Sequence, residues 1–237
     1  MERSQGYDVA LTLFNPQGRI QQLEYVQRVI DKGHPIIGMV YDKGVILIAY
    51  KKIDDKLIDK DKFHKIVSIE DNLIAAFVGM AGDARVLIDY VRAEAQSFKL
   101  SYDQAATPFE VCKSIADLLH TYTFYAIIRP FAVVIMVAGI TKKEKQVVII
   151  LPGGMMMGYK AWSVGRGAGS IREALESKYK ENMPREEALK LGLKALRDAA
   201  NLELCGSCVE VAYIEDDSPS KAVFVSQEEI SKVIDSL

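Results

Sequence analysis

Two very short interruptions between apolar runs constrain the fold more than any other feature of the chain. Residues 36–40 and 45–49 flank Asp42-Lys43-Gly44, and residues 65–69 and 73–78 flank Glu70-Asp71-Asn72. Connections this short join antiparallel strands, because a parallel crossover needs about a dozen residues or more. The spacing therefore predicts two hairpins and argues against a doubly wound parallel sheet.

Helical periodicity surrounds these hairpins. Ile20, Leu23, Val26 and Ile30 recur at spacings of three and four after Asn15-Pro16-Gln17-Gly18, predicting a helix over 19–32 that Gly33 and Pro35 end. Two long helices follow the hairpins, one carrying Ala84, Leu87, Ile88, Val91, Ala95 and Phe98 on a single face, the other Val111, Ile115, Leu118, Leu119 and Tyr122. A second strand group is predicted at 131–139, 146–151 and 155–164, then helices at 170–179 and 184–200. Alternating Val209, Val211 and Tyr213 make a strand, 222–225 another, and Ser226 with Glu229 forms a capping-box pattern before the last helix. No Pro- or Ser-rich linker divides these groups, so they read as one domain. Strand groups alternating with helix pairs can close as two packed sheets covered by helices on both outer faces.

Composition removes several function classes. The 237 residues are 49% hydrophobic, enough for a sizeable core, and 30 basic against 32 acidic residues leave a net charge of −2 with both signs mixed along the chain. That balance carries no nucleic-acid footprint. The longest apolar stretch, 131–140, is too short for a membrane helix, which needs about 20 residues. The N-terminus, MERSQGYDVALTLF, lacks the apolar core of a secretory signal, so a cytoplasmic location is expected. Cys112, Cys205 and Cys208 are too few and uneven for a disulfide framework, which fits a reducing compartment. Cys205-Gly-Ser-Cys208 has CxxC spacing but no second ligand pair, and it leads into a strand rather than a helix, so it reads as a turn and no metal or cofactor is expected.

No established catalytic constellation emerges. His34, His64 and His120 lie in separate segments, leaving no visible serine or cysteine triad. Gly165-Arg-Gly167-Ala-Gly169 precedes a helix but lacks the Gly-Lys-Ser/Thr ending of a phosphate loop.

Tyr7-Asp8, Phe14-Asn-Pro16-Gln-Gly18-Arg19 and Gln22-Leu-Glu24-Tyr25, with a helix ending at Gly33, resemble the N-terminal signature of proteasome α subunits. The resemblance continues through Lys65-Ile66, Gly79, Gly82-Asp-Ala-Arg85, Arg129-Pro-Phe131, Tyr159-Lys-Ala161 and Gly165, and is nearest the archaeal branch. It implies an α+β fold, a four-layer α/β/β/α sandwich of the N-terminal-nucleophile hydrolase type. Within a single domain over 1–237, residues 1–33 would be a gate segment and an α-specific helix, and 34–237 the sandwich core. The resemblance further places the 19–32 helix outside the catalytic fold, across the surface facing the β ring. The implied partners are other α subunits in a seven-membered ring, β subunits, an ATP-dependent unfoldase or other activator, and unfolded polypeptide substrates.

The same resemblance argues against catalysis by this chain. Catalytic members open the first core strand with a processed Thr, Ser or Cys whose own amine is the base; here that strand opens at His34-Pro35-Ile36, and the acidic residue after the second strand is replaced within Ala49-Tyr-Lys-Lys52. Lys65 matches the catalytic lysine position and, in α subunits, the groove that receives an activator's C-terminal carboxylate. Glu24, Gly33 and Gly79 match other positions of that pocket, and Tyr7, Asp8, Pro16 and Tyr25 match the gate cluster. The chain departs from the pattern at Val9, where the family has an arginine, within Phe124–Ile128, where a glycine pair is expected, and at Ala132. The alternatives are an α-like paralogue acting outside a proteasome and a processed N-terminal-nucleophile hydrolase.

Overall fold

The backbone alternates between faces so that most strands bury both sides. In the computed structural model, which describes residues 12–53, 55–141, 144–216 and 221–237, β1 (Ile36–Tyr41) and β2 (Gly44–Tyr50) form the first hairpin and β3 (Ile66–Glu70) and β4 (Leu73–Gly79) the second. Val45, Leu47 and Ala49 of β2 point into the layer between two sheets, whereas Ile46, Ile48 and Tyr50 point to covering helices. Burial on both faces explains why β2 reads as a continuous apolar run rather than an alternating one.

Two five-stranded antiparallel sheets result. One has the order β10-β9-β2-β1-β8, with β8 at Ala161–Val164, β9 at Val209–Glu215 and β10 at Val223–Phe224. The other runs β3-β4-β5-β6-β7, with β5 at Val133–Ile140, β6 at Lys145–Ile150 and β7 at Met156–Tyr159. Helices α2 (Ala81–Tyr102) and α3 (Pro108–Thr121) cover the second sheet, and α4 (Ala168–Lys178), α5 (Arg185–Lys194) and α6 (Gln227–Asp235) cover the first. The expected α/β/β/α layering and both hairpins are present.

The sheets approach closely at Gly38, where a Cβ would lie 2.5 Å from the Met136 sulfur. Helix α1 (Gln21–Lys32) closes one end of this layer. Its buried Val26 and Ile30 join Ile36, Val78, Ala132, Val134 and Val164 in the inter-sheet core. Although it precedes the sandwich strands in the chain, the helix contributes its apolar stripe to the sandwich interior.

Two elements and one helix cap differ from the sequence reading. The single strand expected over 155–164 divides at Lys160, so that Tyr159 pairs with Val147 in one sheet and Ala161 with Met39 in the other. The helix expected over 184–200 is α-helical to Lys194 and finishes as a π-helical turn, Ala195–Ala199. At α6 the Ser226 hydroxyl accepts the Glu229 amide at 3.2 Å, the N-cap half of the pattern; the complete capping box belongs instead to Thr107 and Glu110 at α3.

Leu47→Ala should cost about 2–5 kcal/mol in denaturant unfolding of the dispersed subunit, because its side chain is fully buried between the sheets. Ile127→Ala, at a side chain 95% exposed, should change that midpoint by less than about 0.5 kcal/mol.

Candidate functional site

The segment joining α1 to β1 gathers three of the residues singled out in the sequence, Gly33, Gly79 and Lys65. Gly33 ends α1 in extended conformation, donating its amide to Ile30 O at 2.9 Å. A Cβ there would stand 2.5 Å from Val78 Cγ1 and 3.5 Å from the Gly79 nitrogen, so the close approach of helix and strand requires glycine. Gly79 has φ +126°, and a Cβ on it would lie 2.2 Å from Ala132 O. Arg166 donates its amide to Gly33 O at 2.8 Å, fastening the same junction to the loop before α4.

Lys65 stands beside this junction. Its Nζ donates to the His34 carbonyl at 2.6 Å, and the residue is 5% exposed. Burial pushes its ammonium down to about 7, only partly opposed by the field of Glu210. An ammonium has three donors, and among the described residues this one makes a single hydrogen bond.

Glu210 sets the position of Lys65, and nothing in the sequence singled it out. From β9 its Oε2 accepts the amides of Lys65 at 2.7 Å and Ile66 at 3.0 Å, tying the edge strand β3 of one sheet to β9 of the other. Oε1 meets Lys51 Nζ at 2.6 Å and His64 Nδ1 at 3.2 Å. Lys51 Nζ also donates to the carbonyls of Lys60 at 3.2 Å and Phe63 at 2.7 Å, closing the segment between β2 and β3 upon itself. Glu210, Lys51 and His64 line a cavity of about 490 Å³ that also touches Ser207, Arg92 and Phe224.

A second ionic contact braces the other side of the junction. Arg129 makes a bidentate pair with Asp83, both contacts at 2.7 Å, while Asp83 also accepts the Ala132 amide at 2.7 Å. Burial opposes the charge on Asp83, but the Arg129 hydrogen bonds, the Ala132 amide and the guanidinium field outweigh it and hold the carboxyl below the usual range. Ala132 in turn receives the Met80 amide, which fixes the backbone that crowds Gly79.

Gly33, Gly79 and Lys65 are thus brought together. Glu24 is not: nine residues from Gly33, it lies about 14 Å along α1, partly buried, with its carboxylate 3.6 Å from Arg19. Pro16 is exposed at the second position of a turn closed by Gly18 N to Asn15 O at 2.9 Å, and Asn15 Oδ1 also accepts the Gln17 and Arg19 amides. Tyr25 is half-buried with the Arg28 guanidinium 5.5 Å from its ring centre. Tyr7 and Asp8, with Val9, lie outside the described residues. His34 and Pro35 hold the strand-opening positions, and the nearby Ser163 hydroxyl is buried and donates to Ile36 O at 2.9 Å. The cysteine reading is corrected: Cys205 and Cys208 are joined by a disulfide, while Cys112 is free and buried.

The model of the Proteasome family, described as a proteasome subunit, matches residues 30–214, which include the Lys65 junction, the second sheet and the first sheet up to Ile214 of β9. The chain belongs to the proteasome subunit family. It is 38% identical over 231 residues to the proteasome subunit alpha of Archaeoglobus fulgidus, covering 97% of this chain and 93% of that one. The corresponding proteasome subunit alpha of Methanococcus maripaludis strain C7 is 36% identical over 234 residues, covering 99% and 90%. That of Methanocaldococcus jannaschii is 36% identical over 230 residues, covering 97% and 87%. These matches extend through α1, the element that precedes the family-model match. No helix among the described residues of this family member is long and apolar enough to cross a membrane.

Two outcomes follow from this geometry. Glu210→Ala strands the buried Lys51 ammonium and leaves two amides without their acceptor, which should cost about 3–5 kcal/mol in denaturant unfolding. Because Lys65 has an ordinary value of 10.5 unfolded and about 7 folded, the unfolded chain holds the extra proton between those limits. Stability should therefore rise with pH from about 7.5 to 9.5, and Lys65→Met should flatten that rise; an identical slope in the variant would contradict the assignment.

Proposed function

We propose that this chain is a non-catalytic α-type ring subunit of a 20S proteasome core particle, a scaffold and substrate-entry element for protein degradation in the cytoplasm. One observation carries the non-catalytic reading. The position where a nucleophile with a free amine would be needed is His34-Pro35, peptide-linked to Gly33 and α1, and α1 is locked in place by Val26 and Ile30. An N-terminal nucleophile requires its own α-amine as base. Neither a hydroxyl, a thiol nor a free amine is available at that strand opening.

In this reading copies of the chain assemble into a seven-membered ring, stack on a ring of catalytic β subunits, and pass unfolded polypeptide through the pore. Tyr7, Asp8, Pro16 and Tyr25 serve the gate, with Pro16 fixing the turn from which the N-terminal segment leaves α1. An ATP-dependent unfoldase or other activator docks its C-terminal carboxylate at Lys65, with Gly33 and Gly79 admitting close backbone approach and Glu24 a second contact at the far end of α1. The unused donor capacity of the Lys65 ammonium supports this role, since a carboxylate is the acceptor it lacks. Because Lys65 is 5% exposed in a single copy, docking also requires the groups covering it to shift.

Co-expression with an archaeal proteasome β subunit should yield a stacked-ring particle in electron micrographs, and a persistent monomer would sink the scaffold reading. In that particle, Lys65→Ala should weaken binding of an activator C-terminal peptide by about tenfold or more, the loss of a charge-assisted hydrogen bond. Unchanged peptide binding would remove Lys65 from the docking site while leaving the ring assignment intact.

A further inference from the structure

The disulfide between Cys205 and Cys208 has no part in the proposed ring or docking roles, yet it adjoins the groups that place Lys65. Cys205 is exposed and Cys208 half-buried, with the short Gly206–Cys208 turn between them and β9 beginning at Val209. The turn is pressed under α6: a Cβ on Gly206 would stand 2.2 Å from Ser231 Oγ and 2.6 Å from Gln227 O. Its last carbonyl, Cys208 O, accepts the Lys51 amide at 2.7 Å. Two residues further along β9, Glu210 holds the Lys51 side chain and the amides of Lys65 and Ile66. Lys51 is thus gripped from both ends of the Cys208–Glu210 segment, by its backbone and by its ammonium. Ser207, between the two cysteines, lines the same cavity as Lys51, His64 and Glu210.

We propose that Cys205–Cys208 is a thiol–disulfide exchange site for dithiol reductants, and that its redox state sets how firmly Glu210 holds the start of β3. The exposed Cys205 sulfur is the point of attack. A thiolate of the reductant bonds to Cys205 Sγ, the bond to Cys208 breaks, and the Cys208 thiolate leaves and takes up a proton. The second thiol of the reductant, losing its proton, then displaces Cys205, which is released and protonated. The protein gains two electrons and two protons, and the reductant becomes a disulfide. With the covalent link gone, the turn is held by non-covalent contacts: the Cys208 N to Cys205 O hydrogen bond at 2.9 Å, the Lys51 amide on Cys208 O at 2.7 Å, the Cys205 Sγ–Ser207 Oγ contact at 3.4 Å and packing under α6. Freedom gained in the turn passes to Cys208 O and Glu210, and so to the amides of Lys65 and Ile66. The coupling concerns the backbone at β3 and does not require the docking role of Lys65.

The test equilibrates the full chain in mixtures of oxidised and reduced dithiothreitol under native conditions. Thiols are trapped with iodoacetamide and counted by intact mass, and amide hydrogen exchange is followed in parallel. Reduction should add two alkyl groups to the folded protein, and the Lys65 and Ile66 amides should exchange about tenfold faster, with β4 and β5 unchanged. Cys205→Ser/Cys208→Ser should show the fast exchange without reductant, and the wild-type comparison stands alone if that variant does not fold. Equal exchange at Lys65 and Ile66 in oxidised and reduced protein would overturn the coupling. Alkylation only after denaturation would overturn the exchange site.

Discussion

The apolar layer between the two sheets is the constraint on which the remaining structure depends, and α1 is what closes it. Val45, Leu47, Ile74, Ala76, Val134, Met136 and Ala138 fill the layer, and Val26 and Ile30 complete it at the end where β1 begins. Withdrawing α1 would expose this apolar end and its lining to water, a cost that grows with the area uncovered. The helix that occupies this end also makes the strand opening continuous with the preceding chain. One packing arrangement therefore serves stability and leaves the opening of β1 peptide-linked to α1 through Gly33.

Polar groups enter where the layer ends. Glu210 bridges the sheets by accepting the amides of Lys65 and Ile66 at the start of β3 and one ammonium, and Asp83 braces Arg129 and Ala132 on the opposite side of the Gly33–Gly79 contact. A buried or partly buried carboxylate is tolerated when its lone pairs are met, as they are at Asp83 and at the partly buried Glu210. Between these braces Lys65 is a buried ammonium with one acceptor among the described residues, the His34 carbonyl.

Much of the fold was legible because each signal was local. The hairpins announced themselves through three-residue interruptions, and α2 and α3 through periodicity. The division of 155–164 was not legible: the chain passes from one sheet to the other at Lys160 with a lone Gly158 upstream and no Pro or turn dipeptide, and the pairings with Val147 and Met39 reveal it. The π-helical turn after Lys194 likewise has no breaker residue. Within the site, the Lys65 and Gly33–Gly79 positions came from the family pattern, but Glu210 looked like an ordinary solvent-facing residue of an alternating strand. Its partners lie about 145 to 160 positions away, beyond any periodicity argument. The Cys205–Cys208 spacing was visible, whereas its pairing and its place beside Glu210 depend on how α6 folds back over the turn.

The central claim is that this chain builds the particle without performing its chemistry. It is tested most directly on the assembled complex with a β subunit, treated with an electrophile that acylates N-terminal threonine and then resolved by intact mass. The account predicts adduct on the β chain alone, with this chain unmodified and uncleaved between Gly33 and Pro35. An adduct on this chain, or a mature terminus at His34 or Pro35, would contradict it.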